Sequence, residues 1–229
     1  MSARHGRTER DRQRRVLGQN FLVDQLLIDR FVDRLGLGAD DLVVDLGAGT
    51  GALTLPLART GAEVWAVESD PRWAARLRAN LEAGAPHVRV ITADLRRLRL
   101  PRGSFRVVAN PPFGLTTELL ARLLDDPERG PERADLVVQH EVACKHATTP
   151  PVALRTAAWV PWWTFDIGMR FGRDAFRPRP SVEASVLTVR KRVPALLPDR
   201  LAPDFVETLR PAWTRQPGTP AADRQTTGG

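Results

Sequence analysis

The chain is short of several residue types, and each shortage closes off a class of protein. Cys144 is its only cysteine, which excludes an internal disulfide and a cysteine-built metal cluster and fits a reducing compartment. A single thiol of this kind reads as a bystander and not as a nucleophile. No stretch approaches the roughly 20 consecutive apolar residues that a membrane helix needs, and no apolar signal core opens the sequence. The expectation is a cytoplasmic, monomeric protein with no membrane partner and no bound metal. Lysine is nearly missing: Lys145 and Lys191 are the only two among 34 basic residues, set against 27 acidic ones for a net charge of +7. The planar fork of arginine donates paired hydrogen bonds to phosphate, so a polyanionic partner is one reading. A GC-rich coding sequence produces the same bias, and composition leaves the two open.

What is there suffices for one full α/β core. With 229 residues and 42% apolar content, a modest appendage can be added but not a second large domain. Residues 1–15 carry Arg4, Arg7, Arg10, Arg12, Arg14 and Arg15 with almost nothing to bury, so they read as a flexible basic arm. Glu9 and Asp11 interrupt the run and weigh against an organelle transit peptide.

Residues 16–192 form the expected main domain. Helical spacing predicts a helix from Asp24 to Leu35. Strands and helices then alternate: strand Leu42 to Leu46, helix Thr50 to Thr60, strand Glu63 to Glu68, and a helix from Pro71 to about Ala83. Strands Val88 to Thr92 and Phe105 to Ala109 follow, then helix Thr116 to Leu124 and strand Leu136 to Gln139. Val152 to Val160 reads as a helix, and Thr164 to Gly168 and Ala184 to Arg190 as paired late strands. That order predicts a Rossmann-like α/β fold with a late antiparallel β-hairpin. Residues 193–229 shift to proline, arginine and polar residues, with one short helix expected at Asp204 to Trp213 and a disordered tail from about Gln216.

The chemistry concentrates at strand ends. Asp45-Leu46-Gly47-Ala48-Gly49-Thr50-Gly51 leaves the first strand and opens a helix, where a doubly wound fold binds nucleotides. Glu68 closes the next strand, a position from which a carboxylate accepts from both ribose hydroxyls. This pair alone suits NAD or S-adenosylmethionine. The dinucleotide fingerprint spaces its last glycines more widely to seat a pyrophosphate, whereas Gly47, Gly49 and Gly51 alternate, which favours S-adenosylmethionine. Asp94, after the third strand, can accept from the exocyclic amine of an adenine. Singly, these features also read as a tight turn, a solvated strand-end charge and a helix N-cap; three in register on successive strands point to a site.

Asn110-Pro111-Pro112-Phe113 follows the fourth strand. Adenine N6 is a poor nucleophile because its lone pair is delocalised into the ring, so methyl transfer needs acceptors that hold the amine hydrogens. The Asn110 side-chain oxygen and a backbone carbonyl of Asn110 or Pro111 can serve, aimed in advance by the two prolines. Phe113 can stack on an extruded adenine. The alternative is an ordinary strand-ending turn with Phe113 in the core.

Together these residues resemble the rRNA adenine-N6 dimethyltransferases, over about Gly18 to Arg192. The resemblance is most specific at Gly18-Gln19-Asn20-Phe21-Leu22, which in that family closes over the methionine end of the cofactor. It implies cofactor contacts for Gln19, Asn20, Leu22, Gly47, Glu68, Asp94 and Asn110, and base stacking for Phe113. The late stretch Ala175-Phe176-Arg177-Pro178-Arg179-Pro180-Ser181-Val182 is similar to another family motif and implies a second aromatic wall at Phe176, for which a core residue anchoring the hairpin is the alternative. The sequence departs from the family in carrying Pro111, which also suits DNA or protein amino methyltransferases, and in a C-terminal helical region that is curtailed after Arg192. RNA binding would then fall to the arginine arm and to Arg170, Arg173, Arg177 and Arg179. The Arg-rich flanks and Trp159 to Phe165 look more like the Erm-type branch, which implies 23S rRNA as partner and macrolide resistance, than the KsgA-type branch acting on 16S rRNA. A catalytically idle RNA-binding relative is a further alternative.

Overall fold

A computed structural model describes residues 20–81 and 85–214. The expected basic arm and the tail from Gln216 lie outside them. In chain order the elements are β1 (Phe21–Leu22), α1 (Gln25–Asp33), β2 (Leu42–Leu46), α2 (Thr54–Ala58), β3 (Glu63–Glu68), α3 (Pro71–Asn80), β4 (Val88–Thr92), β5 (Arg106–Ala109), α4 (Thr116–Leu124), β6 (Arg133–Gln139), α5 (His140–Ala147), α6 (Leu154–Trp159), β7 (Trp163–Phe171), β8 (Phe176–Arg177), β9 (Ala184–Lys191) and α7 (Ala202–Thr214). No described helix is long and apolar enough to cross a membrane.

Seven strands form one sheet in the order β4-β3-β2-β5-β6-β9-β7. Strands β2 to β6 run parallel, and β9 joins antiparallel to both β6 and β7. The interior strands are apolar on both faces, as Leu42–Leu46 and Arg106–Ala109 illustrate, because helices cover both sides of a parallel sheet. The chain builds outward from β2 through β3 to β4, then crosses back to β5 on the other flank of β2. This reversal opens a crevice beyond the carboxyl ends of β2 and β5.

Local sequence sets the helix ends. The Asp24 carboxylate accepts from Leu27 N at 3.1 Å and starts α1, whose buried face is Ile28, Phe31 and Val32; such a cap stabilises by about 1 kcal/mol. Asp70 caps α3 in the same way through Arg72 N at 2.8 Å, with Pro71 in the first turn. On one face of the sheet α4 buries Leu119, Leu120, Leu123 and Leu124 against Trp159, Trp162 and Trp163. Fully burying side chains of this size stabilises by about 1.5–3 kcal/mol each. Helix α7 lies on the same cluster through Phe205, whose ring meets Trp162 edge-on at 5.6 Å.

Several elements differ from expectation. Regular helix in the second segment spans only Thr54–Ala58, because Gly49 and Gly51 adopt positive φ (55° and 102°) that a right-handed helix excludes. The strand expected to start at Leu136 begins at Arg133, and the first hairpin strand runs from Trp163 to Phe171. Helix α5 was not expected at all: it buries only Ala143 and His146, so it has no apolar stripe to read. A two-residue ladder pairs Phe21 with Arg177 and Leu22 with Phe176, joining the first and last family-like motifs across the fold.

Candidate cofactor cleft and catalytic site

The crevice is a cleft of about 880 Å³, counted out to its open mouth. Its floor is the loop after β2, where Gly47 N and Ala48 N both donate to Val67 O, at 2.9 and 3.0 Å. Gly47 and Gly49 line the cleft; a Cβ on Gly47 would meet nothing within 4 Å, and one on Gly49 would lie in ordinary contact with the Phe21 ring at 3.6 Å. Gly51 does different work. A Cβ there would stand 2.7 Å from Leu77 Cδ1, so this glycine lets α3 approach the loop and does not line the cleft.

Glu68, 7% exposed, ends β3 at the rim of the loop. One carboxylate oxygen accepts from Gly49 N at 2.8 Å, and the other from Asp70 N at 2.8 Å and Ser69 Oγ at 3.3 Å. Three donors hold the anion in place, with lone-pair capacity remaining for hydroxyl donors. Asp45, next to last in β2, is fully buried and accepts from Thr54 Oγ1 at 2.6 Å. Burial, together with the nearby Glu68 charge and against the Thr54 hydrogen bond, pushes the Asp45 carboxyl up to about 7.

The opposite wall comes from two distant segments. Asn20, Phe21 and Leu22 run along one side of the cleft, and Asn110, Pro112 and Leu115 along the other. The Asn110 amide joins them, since Nδ2 donates to Asn20 O at 2.8 Å. Its Oδ1 is buried with no hydrogen-bond partner. Buried acceptors are nearly always paired, so this oxygen marks a place for a donor. Pro111 is buried behind the loop and does not line the cleft. Gln19 lies outside the described residues.

Asp94 and Phe176 are not among the residues that line the cleft. The Asp94 carboxylate accepts from Arg96 Nε at 2.9 and 3.0 Å and from Arg96 N at 2.9 Å. Those hydrogen bonds hold the carboxyl at about 2. It caps the turn after β4, one residue before Leu95, which lines the cleft. Phe176 is 0% exposed, packed against Phe171 and edge-on to Phe113 at 6.2 Å. With no open face it is the core residue that anchors the hairpin, and it backs Phe113, which is half-buried.

A family model described as ribosomal RNA adenine dimethylase matches residues 10–219. The chain belongs to this family. It is 37% identical over 187 residues to an rRNA adenine N-6-methyltransferase of Corynebacterium diphtheriae, covering 82% of this chain and 69% of that one. With the mycinamicin-resistance protein MyrB of Micromonospora griseorubida it shares 36% identity over 201 residues, covering 88% and 63%. The crystal structure of the 23S rRNA methyltransferase ErmE is similar at a TM-score of 0.77 and 29% identity, over 87% of this chain and 81% of that one.

Within this dimethylase fold, Arg173, Arg177 and Arg179 gather on the connection between β7 and β9. Each has local partners: Arg173 donates to Ser181 O at 3.2 Å, Arg177 to Phe176 O at 2.8 Å, and Arg179 pairs with Asp174 at 3.0 Å. The β1–β8 ladder places Arg177 directly opposite Phe21, at the cleft wall. Arg4 to Arg15 lie outside the described residues. Sequence reasoning missed Asp45 and Trp73 as cleft residues. Asp45 stood inside the quoted glycine motif, and an acid within an otherwise apolar strand was the available signal; Trp73 sits in the helix turn just after Glu68.

Proposed function

We propose that the cleft binds S-adenosylmethionine and that the chain methylates N6 of an adenine in 23S rRNA, in the peptidyl-transferase region, which confers resistance to macrolides, lincosamides and streptogramin B. The residues present fit that cofactor. Glu68 offers an anchored carboxylate for a ribose, and Gly47 and Gly49 present backbone along the cleft. Asn20 and Leu22 would hold its methionine end. When bound, S-adenosylmethionine supplies an already activated methyl group on sulfonium.

The observation that carries the reading is the orphaned Asn110 Oδ1 in the cleft wall. An amine hydrogen of the target adenine donates to this oxygen, which holds N6 toward the cleft and favours rehybridisation of its lone pair. Rotation of the amide is restrained because Nδ2 is tied to Asn20 O, so the acceptor is fixed before substrate arrives. Phe113 stacks on the extruded base, with Phe176 supporting it from the core. The surplus amine proton leaves to water after transfer, and no side chain need act as base. Arg177, paired with Phe21 at the cleft wall, and its chain neighbours Arg173 and Arg179 would take RNA phosphates.

The test is primer extension on ribosomal RNA from cells expressing the protein, with labelled-methyl transfer to naked 23S rRNA, 16S rRNA and duplex DNA in parallel. A stop confined to the peptidyl-transferase region of 23S rRNA is expected. Modification of 16S rRNA alone would move the chain to the KsgA-type branch, and label on DNA alone would overturn the RNA assignment.

A further inference from the structure

Strand β6 reaches further past the carboxyl edge of the sheet than its neighbour β5, which carries Asn110. Ala109, the last residue of β5, pairs with Leu136, and β6 continues through Val137 and Val138 to Gln139. Gln139 therefore stands two residues beyond the level of Asn110, about 7 Å further out and about 4.8 Å to the side. The ladders settle which face it occupies. Gln139 lies directly opposite Ala184 in β9, and Ala184 lies opposite Phe171 in β7; residues directly opposite one another share a face of the sheet. Ala184 and Phe171 are buried in the apolar cluster that holds Phe176, and Phe113 packs against that cluster. Gln139 is thus the polar end of a row on the side where Phe113 lies. It is half-buried, it precedes α5 without capping it, and its amide has no hydrogen-bond partner among the described residues.

The direction of methyl transfer fixes which end of a substrate would meet this amide. Displacement at a methyl group is in line, so N6 lies opposite the departing sulfur and the purine lies on the far side of N6 from the cofactor. The glycine loop follows β2, the Asn110 turn follows β5, and β6 comes next in the sheet. A purine whose amine is held at Asn110 therefore extends toward β6. Its ribose is at the opposite end of the nucleoside from N6, so a group set sideways and outward from Asn110 is placed for the sugar and not for the amine.

We infer that Gln139 reads the sugar of the target nucleotide: its side-chain oxygen accepts a hydrogen bond from the 2′ hydroxyl, the group by which a protein tells RNA from DNA. This rests on the functional reading above and sharpens it. The Asn110 turn holds an adenine amine alike in either nucleic acid, and the choice of RNA then falls to a residue one strand away.

The test measures kcat/KM for methyl transfer by the full-length protein to a hairpin taken from the peptidyl-transferase region of 23S rRNA, and to the same hairpin with one 2′-deoxyadenosine at the methylated position. Wild type should prefer the all-ribose hairpin by a factor on the order of 10, the worth of one hydrogen bond. Gln139→Ala and Gln139→Leu should lose that factor on the all-ribose hairpin, stay close to wild type on the deoxy one, and so accept both alike. A merely structural residue would slow both hairpins equally and leave the preference intact. That result would overturn the proposal, as would a wild type indifferent to the sugar. Should Gln139→Ala not fold, Gln139→Leu, which keeps the bulk of the side chain, decides by the same ratio. Transfer to neither hairpin by wild type would overturn the functional reading and this assignment with it, whereas transfer that ignores the sugar overturns this assignment alone.

Discussion

Asp45 gives the protein a pH-dependent stability opposite in sign to that of most carboxylates. The perturbation is Asp45→Asn, which keeps the shape of the side chain and an oxygen for the Thr54 hydroxyl to donate to, while removing the titration. In the folded chain burial and the Glu68 charge hold the carboxyl at about 7, against 3.8 for an ordinary aspartate. Between those values the unfolded chain has already released its proton and the native one has not. The native state binds more protons, so stability falls as pH rises. The contribution is complete below pH 3.8 and gone above about 7. At about 1.36 kcal/mol per pH unit, the gap is worth about 4 kcal/mol, of which about 2–3 kcal/mol is lost between pH 5 and pH 8. Urea unfolding of wild type and variant at those two pH values reads this as a double difference, in which the other titrating groups cancel. The variant should gain on wild type by that amount on going to pH 8. A difference that is the same at both pH values would refute the reasoning, because it would mean that Asp45 is ionised in the native state throughout, as it is in the unfolded chain.

Asn110→Ala removes the cleft acceptor and should lower turnover on 23S rRNA by about two to three orders of magnitude, with an unfolding midpoint close to wild type; full turnover in a single-round assay would rule out the amine-holding role. Gly130→Ala should destabilise by about 1–3 kcal/mol, since its Cβ would stand 2.6 Å from the Trp163 ring and 2.7 Å from Leu123 O. Urea melts followed by tryptophan emission check this, and an unchanged midpoint would show that the Trp163 pocket yields freely. Replacing Arg173, Arg177 and Arg179 together by Ala should weaken RNA binding and reduce the slope of log K against log salt by about 0.7–0.9 for each phosphate that these arginines neutralise. An unaltered slope would place the RNA elsewhere. His146, buried against Trp159 and Phe165, has its pKa lowered by desolvation and by Lys145. Its contribution is present above the ordinary value of 6.5 and lost as pH falls, and a His146→Gln variant should flatten the acid side of the stability profile.

Much of this was open to reading along the chain. Glu63–Glu68, Val88–Thr92 and Thr116–Leu124 fall where their patterns predict, because a strand or helix that buries one face must repeat apolar residues at its own period. The alternating glycines, Glu68 and Asn110 also stood at strand ends, and strand ends are where a doubly wound sheet gathers ligands. Helix α5 was opaque because it buries too little to leave a pattern.

The places of β2 to β5 along the chain, the glycine loop and the Asn110 turn were determined by sequence alone, since each depends on neighbours a few residues away. Tertiary structure decided the rest, because it depends on which surfaces meet. The β1–β8 pairing, the closure of Phe176 into the core and the facing of Trp73 on Phe21 are of this kind. So is the upward shift of the Asp45 carboxyl, since the energy of a charge is set by the medium and the other charges packed around it and not by its place in the chain.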